Sequence, residues 1–309
     1  MRPIHRKLPH AELAFCFPCQ PLESFEWDAS AAAGHPEVEA MFQRAAKRLE
    51  DPALAPPTRL QVVTYTSAAA YGALLLARGP LPVICMPHSM GFYAALVTAG
   101  VCEFEPMLEY VIAAGQAIDA FSRGGDYEMT SVLGIEDEQM EDICKEVDGA
   151  FVANYNSTGH TVISGKRYAV EEVCRIALEN DAYDVRCLHT GVPLHTPIMD
   201  PVSVILARKL AGFPVHEPRS TVFCPHRLVP LEVPDIVPAL SEHITRPVRF
   251  EQMVKTVVEA GVKLILEVGY EKLLSKFIGW IDVKVKARSV GSARRLDAEI
   301  RRFQRAGAV

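Results

Sequence analysis

The sequence predicts an α/β protein with a largely parallel sheet, interrupted by a small second domain. Two observations carry this. Over residues 13–121, and again after 191, short apolar runs alternate with longer helical stretches. Between them, residues 126–190 read β-α-β-β-α-β, the order of a ferredoxin-like unit. The predicted division is a large domain of residues 1–125 and 191–309 around a small domain of 126–190.

Taken in order, Leu13-Ala14-Phe15-Cys16-Phe17 is a buried strand that stops at Pro18. A helix over 36–50 starts at Pro36, and the prolines of 51–59 make a loop. Residues 60–78 are rich in Ala and Leu and predict a buried helix. A strand at 82–86, a tight turn, and helices at 90–99 and 105–121 follow, closed by Gly124-Gly125. In the small domain the strands fall at 129–133, 150–154, 161–164 and 184–188, with helices at 136–146 and 166–180. The large domain resumes with a helix at 201–211, a strand at 220–224, a helix at 250–260 and a strand at 263–267.

With 49% apolar and 23% charged residues, the 309-residue chain has the balance of a soluble globular protein. No apolar run reads as a membrane span, and the basic opening MRPIHRKLPH lacks the apolar region of a signal peptide, so a cytoplasmic location is expected. The eight cysteines are scattered, as reduced buried thiols are. Cys16-Phe17-Pro18-Cys19 is formally C-x-x-C; no second ligand pair accompanies it, so no metal site is expected, and incidental thiols are the reading preferred to a redox pair. Net charge is −6, distributed unevenly: from Lys284 onward eight basic residues face Asp297 and Glu299, leaving −12 for the rest. A solvated terminal helix explains that segment, and a docking surface for an acidic partner is the sharper alternative. Nothing resembles a nucleic-acid-binding module.

The chemistry-bearing stretch is Pro87-His88-Ser89-Met90-Gly91, set between the strand and helix predicted around it. A nucleophile elbow is written G-x-S-x-G, and here proline replaces the first glycine. Such a serine needs a base within hydrogen-bond reach. His88 is adjacent, and neighbouring side chains on a sharp turn point apart. His195 is the better candidate, in the Pro-flanked loop V-P-L-H-T-P where the chain re-enters the large domain. The residues alone leave open a turn serine and an ordinary loop histidine.

Five motifs, in order along nearly the whole chain, change that balance: FPCQ, PHSMGFYAALVTAGV, NYNSTGHTVISG, GVPLHTPIM and RPVRF. Together they resemble the malonyl-CoA:acyl carrier protein transacylase family, which includes the acyltransferase domains of fatty acid and polyketide synthases. The resemblance implies an α/β-hydrolase-like large domain with a ferredoxin-like insert. It implies that Ser89 is acylated and that His195 activates it. It implies that Gln20 and Met90 supply oxyanion-hole N–H groups, and that the backbone at Arg249 orients the histidine. His88, Asn154 and Asn156 are expected to line the substrate pocket, beside Ala114 and Leu194. Acyl-CoA and a phosphopantetheinylated acyl carrier protein are the implied partners, with no bound cofactor.

The departures from the family pattern are informative. Where malonyl-using members have a carboxylate-clamping arginine, the ungapped alignment places Ala114, with neutral Gln116 nearby and Arg123 too far along the helix. Cys19 and Pro21 replace the glycines of FPGQG, Phe92 replaces the glutamate after the elbow, and Leu194 replaces a frequent serine. A more apolar pocket and a monocarboxylic acyl group are therefore expected. A hydrolase that strips acyl groups from carriers, and a non-catalytic carrier-binding protein, are the competing readings.

Overall fold

The structure, a computed structural model, describes residues 12–270 and 272–306; the basic opening stretch lies outside them. The first strands are β1 (Leu13–Phe17), β2 (Ile84–Pro87), β3 (Tyr127–Leu133), β4 (Ala150–Ser157) and β5 (His160–Lys166). They are followed by β6 (Asp184–Cys187), β7 (Thr221–Val222), β8 (Val248–Arg249), β9 (Leu264–Glu267) and β10 (Lys286–Ser289). The helices begin with α1 (Pro36–Leu49), α2 (Pro56–Arg78), α3 (Gly91–Thr98), α4 (Phe104–Ser122), α5 (Asp137–Glu146) and α6 (Arg167–Glu179). Then come α7 (Asp200–Lys209), α8 (Val233–Glu242), α9 (Phe250–Glu259), α10 (Leu274–Ile281) and α11 (Ala293–Ala306).

Five parallel strands form the large sheet, in the order β10-β9-β1-β2-β7. Central strands covered on both faces need apolar residues at every position, and β1 and β2 have them. Because successive side chains point to opposite faces, Phe15, Phe17 and Cys85 enter one core, with α2, α3 and α4. Ala14, Cys16, Ile84 and Met86 enter the other, with α9 and α10. Helix α2, 23 residues long, is apolar enough to cross a membrane by length and composition, but 67% of its most apolar window is buried inside the protein.

In the second sheet, four strands run antiparallel in the order β6-β3-β5-β4, the ferredoxin-like order expected from the sequence. A fifth strand, β8, pairs parallel with β4 and comes from beyond residue 190. The sequence reading assigns no element to 225–249, where α8 and β8 form. Helix α8 starts with a proline in its first turn and a capping box in which Glu232 and Asp235 each accept the other's N–H. Helix α10 is started from outside: the buried Glu267 at the end of β9 accepts the N–H groups of Leu273, Leu274 and Ser275 at 2.8–3.0 Å.

The basic terminal helix α11 buries Leu296 and Ile300 and neutralises part of its own charge. Buried Glu299 bridges Arg288 and Arg302, and Asp297 pairs with Arg78 at 3.1 Å. Arg78 ends α2, and Gln61 lies near its start, so that contact is roughly 25 Å along the helix from Gln61.

One close approach governs the turn after β2. A Cβ on Gly91 would stand 2.1 Å from the Phe17 carbonyl oxygen and 2.8 Å from the Phe17 side chain. Only glycine lets α3 begin so near the end of β1. Gly91→Ala is expected to lower unfolding stability by about 1–3 kcal/mol, the usual range for overpacking. Urea denaturation checks this, and a change below about 0.5 kcal/mol, the range of a neutral surface substitution, would show that the crossing relaxes freely.

Candidate active site

The site is built on the turn between β2 and α3. Ser89 has φ +47°, in the left-handed region that residues with side chains rarely occupy. The turn is held by His88 N–H donating to the Phe17 carbonyl at 2.8 Å. Gly91 N–H donates to the His88 carbonyl and Phe92 N–H to the Ser89 carbonyl. None of these bonds uses the Met90 N–H. Pro87 costs nothing toward β1, because the donor on that side is His88; the missing N–H belongs to the other side of the strand.

His195 comes from the loop after β6 and also has a left-handed backbone, φ +62°. Its N–H donates to the Ile244 carbonyl at 2.7 Å. Its Nδ1–H is shared by the carbonyls of His243 at 3.0 Å and Arg246 at 3.2 Å. Carbonyls only accept, so the proton sits on Nδ1 and Nε2 is left as an acceptor. Ser89 Oγ–H donates to that Nε2 at 2.8 Å. Burial, reinforced by nearby His88 and His226, pulls the His195 pKa down to about 4. The imidazole is therefore neutral at physiological pH, and Ser89 faces a free base.

Five of the sequence-predicted residues line one cavity: Gln20, Ser89, Met90, Leu194 and His195. Gln61, Tyr93, Ile118 and His243 complete much of its wall. Among the described residues, the lining contains no arginine, lysine, aspartate or glutamate.

The other expected pocket residues lie elsewhere. His88 is buried, with Nε2 2.9 Å from Asn156 Oδ1 and its ring edge-on to Phe250. Burial lowers its pKa to about 4, so it is a neutral strut from the elbow to β4. Asn154 is on the same strand, buried, its Oδ1 without a partner among the described residues. Ala114 is 1% exposed within the core beneath α4. Gln61 comes close there: its Oε1 lies 2.5 Å from where Gly115 would carry a Cβ.

Arg249 is a correction. The carbonyls that orient His195 belong to His243 and Arg246, not to Arg249. Residues 248 and 249 are taken into β8, so the Arg249 N–H donates to Pro225 and its guanidinium lies 5.0 Å from the centre of the Tyr155 ring. The carbonyls free to meet the histidine come from the 3₁₀ turn His243–Thr245 and the residue after it. His243 lies at the site and is not singled out by the sequence. Its Nε2–H donates to the Ser89 carbonyl at 2.9 Å, and no local pattern around Ser241-Glu242-His243 signals this.

Cys16 and Cys19 form no disulfide, and burial, with Glu267 close by, pushes the Cys16 pKa well up, the opposite of a reactive redox cysteine. Among the described residues one trio, Glu128, Cys187 and His189, gathers three donors within 4.8 Å of one another. The Glu128 carboxylate is already engaged by Arg167 at 2.9 Å and the Met129 N–H at 2.8 Å.

This geometry agrees with what the chain is similar to. The model of the acyl transferase domain family matches residues 54–295. The malonyl CoA-acyl carrier protein transacylase of Salmonella typhimurium is 29% identical over 280 residues, 85% of this chain and 91% of that protein. That of Haemophilus influenzae is 29% identical over 221 residues, 70% of this chain and 71% of its own. Among solved structures, the Coxiella burnetii malonyl CoA-acyl carrier protein transacylase superposes with TM-score 0.87 at 28% identity, covering 96% of this chain and 99% of that one. A malonyl-transacylase solved in complex with a type II polyketide synthase acyl-carrier protein superposes with TM-score 0.88 at 26% identity, over 94% of this chain and all of that one. With a family match over residues 54–295, most of the chain, and a serine–histidine pair at the elbow, the chain belongs to the acyl transferase domain family and is an acyltransferase.

Proposed function

We propose that the protein moves an acyl group lacking a free carboxylate from a coenzyme A thioester to the phosphopantetheine thiol of an acyl carrier protein, through an ester on Ser89. The donor and acceptor classes follow the relatives' names and the carrier complex of one solved neighbour. The single observation that carries the acyl preference is the uncharged cavity wall, with Ala114 buried in the core where the family's carboxylate-binding arginine is expected. Both histidines of the wall are held neutral by burial. A malonyl carboxylate in that cavity would lose its hydration without gaining a counter-charge, a penalty of about 3 kcal/mol or more, which is a factor of at least ~100.

The chemistry needs two half-reactions. His195 Nε2 takes the Ser89 Oγ proton as Oγ bonds to the thioester carbonyl carbon. The oxyanion that develops is met by the N–H groups of Met90 and Gln20. Collapse breaks the C–S bond, and the proton on Nε2 leaves with the coenzyme A thiol. The carrier thiol then gives its proton to Nε2 and attacks the ester carbonyl. The second collapse returns that proton to Ser89 Oγ and leaves the acyl group on sulfur. The eight cysteines form no disulfide, which suits a reducing compartment, and a cytoplasmic site of action fits this.

Incubation with an equimolar mixture of acetyl-, butyryl-, hexanoyl- and malonyl-CoA, read by intact mass, tests the proposal. A single acyl increment that maps to Ser89, is absent in Ser89→Ala and favours the non-carboxylated groups is expected. Malonyl as the dominant adduct would overturn the substrate reading. Carrier protein added to the isolated acyl-enzyme should collect the label on its phosphopantetheine; release as free acid would make the protein a hydrolase.

The depressed His195 pKa fixes the sign of the pH dependence. The base works deprotonated, so activity is lost as pH falls through the folded pKa, which is about 4. Ser89 acylation at low acyl-CoA concentration should be flat from about pH 8 to 5. Rapid-quench rates check this, and a half-maximal rate near the ordinary histidine value of about 6.5 would contradict the buried, neutral base.

A further inference from the structure

We propose that His243 is a positioning residue that sets the distance between Ser89 and His195, holding the serine through its side chain and the histidine through its main chain. The inference rests on the proposed role of Ser89 and deepens it.

The geometry is specific. The His243 imidazole reaches the Ser89 carbonyl through Nε2 at 2.9 Å. The His243 carbonyl accepts the Nδ1–H of His195 at 3.0 Å. The next residue, Ile244, accepts the His195 N–H at 2.7 Å. One short turn therefore grips both partners, which are 106 residues apart in the chain. The imidazole itself is 2% exposed and ringed by aromatic groups, with centroids 5.1 Å from Phe92, 5.9 Å from Tyr93 and 5.3 Å from His195.

The tautomer follows from the contacts. A carbonyl can only accept, so Nε2 carries the proton, and Nδ1 has no partner among the described residues. Burial first, then the adjacent histidines, keep the ring from charging. A neutral donor is what the site requires, because a cation there would oppose proton uptake by His195.

The mechanical need is also on view. A non-glycine residue in the left-handed region stores about 1–3 kcal/mol and persists only where its surroundings over-determine it. Ser89 and His195 are both in that state. The Ser89 carbonyl is held from within the turn by Phe92 N–H and from outside by His243. Without the outer bond, the elbow can rotate its peptide and carry Oγ away from Nε2, while the histidine stays in place on its main-chain carbonyls.

The test compares His243→Phe, which keeps a ring in the aromatic cage but removes the donor, with His243→Gln, whose amide restores an N–H at similar reach. His243→Met, a second donorless variant, is read in parallel in case the phenylalanine disturbs folding. Single-turnover labelling of Ser89 by acetyl-, butyryl- and hexanoyl-CoA is followed by intact mass at saturating thioester, below each variant's melting temperature. The donorless variants should label about tenfold more slowly or worse, at a half-saturating concentration within about twofold of the parent, as expected for loss of one buried hydrogen bond acting on geometry. His243→Gln should recover to within about threefold of the parent. Donorless variants that label as fast as the parent, or a glutamine variant as slow as they are, would overturn the inference while leaving Ser89 as the nucleophile. No label at Ser89 in the parent protein would overturn both readings.

Discussion

The hydrogen bond from Ser89 Oγ to His195 Nε2, 2.8 Å long, joins two residues whose backbones are both in the left-handed region. Neither residue would adopt that conformation alone, so the rest of the structure can be read as the set of contacts that enforces it. Toward β1, the Phe17 carbonyl takes the His88 N–H, and the absence of a side chain at Gly91 lets the helix start against the same residue. Toward the end of the chain, three carbonyls from 243–246 fix the loop and ring of His195. The dyad is a product of crossings between elements distant in sequence.

The small sheet contributes to the same end. β8 pairs with β4 and passes straight into α9, so the turn that holds His195 is anchored to the second sheet as well as the first. His88 reaches Asn156 on β4, and Arg249 lies over Tyr155 on the same strand. The first of these contacts ties the elbow to the insert, and the second ties β8 to it. A residue expected from its family motif to touch substrate can thus be doing structural work one layer away.

Legibility from the sequence followed how local each cause was. β1 and β2 are short, wholly apolar and bounded by prolines, and the long helices α2 and α4 have obvious composition, so all were readable. The elbow was readable because strand, serine and glycine are consecutive. His195 was readable because prolines flank it and a family motif surrounds it. What was hidden depends on contacts across the chain. α10 is started by a glutamate on β9, β8 exists only because β4 offers it an edge, and α8 is disguised by its own prolines. The orienting carbonyls were misplaced onto Arg249 for the same reason: which carbonyl is free depends on which residues the sheet has claimed.

The departures from the family pattern also make sense together. Phe92 stands where the sequence resemblance leads one to expect a glutamate, and its ring packs 5.1 Å from His243, which in turn lies 5.3 Å from His195. A carboxylate at that position would stabilise protonated imidazole on both histidines and raise their pKa values. A phenyl ring adds no charge there, and burial keeps both rings neutral. Ala114, buried near Gln61, likewise adds no charge to this part of the core. A cavity without fixed charge has a consistent physics. Its histidine is a free base across the neutral range, and an acyl group without a charge of its own would enter it with no charge left unpaired.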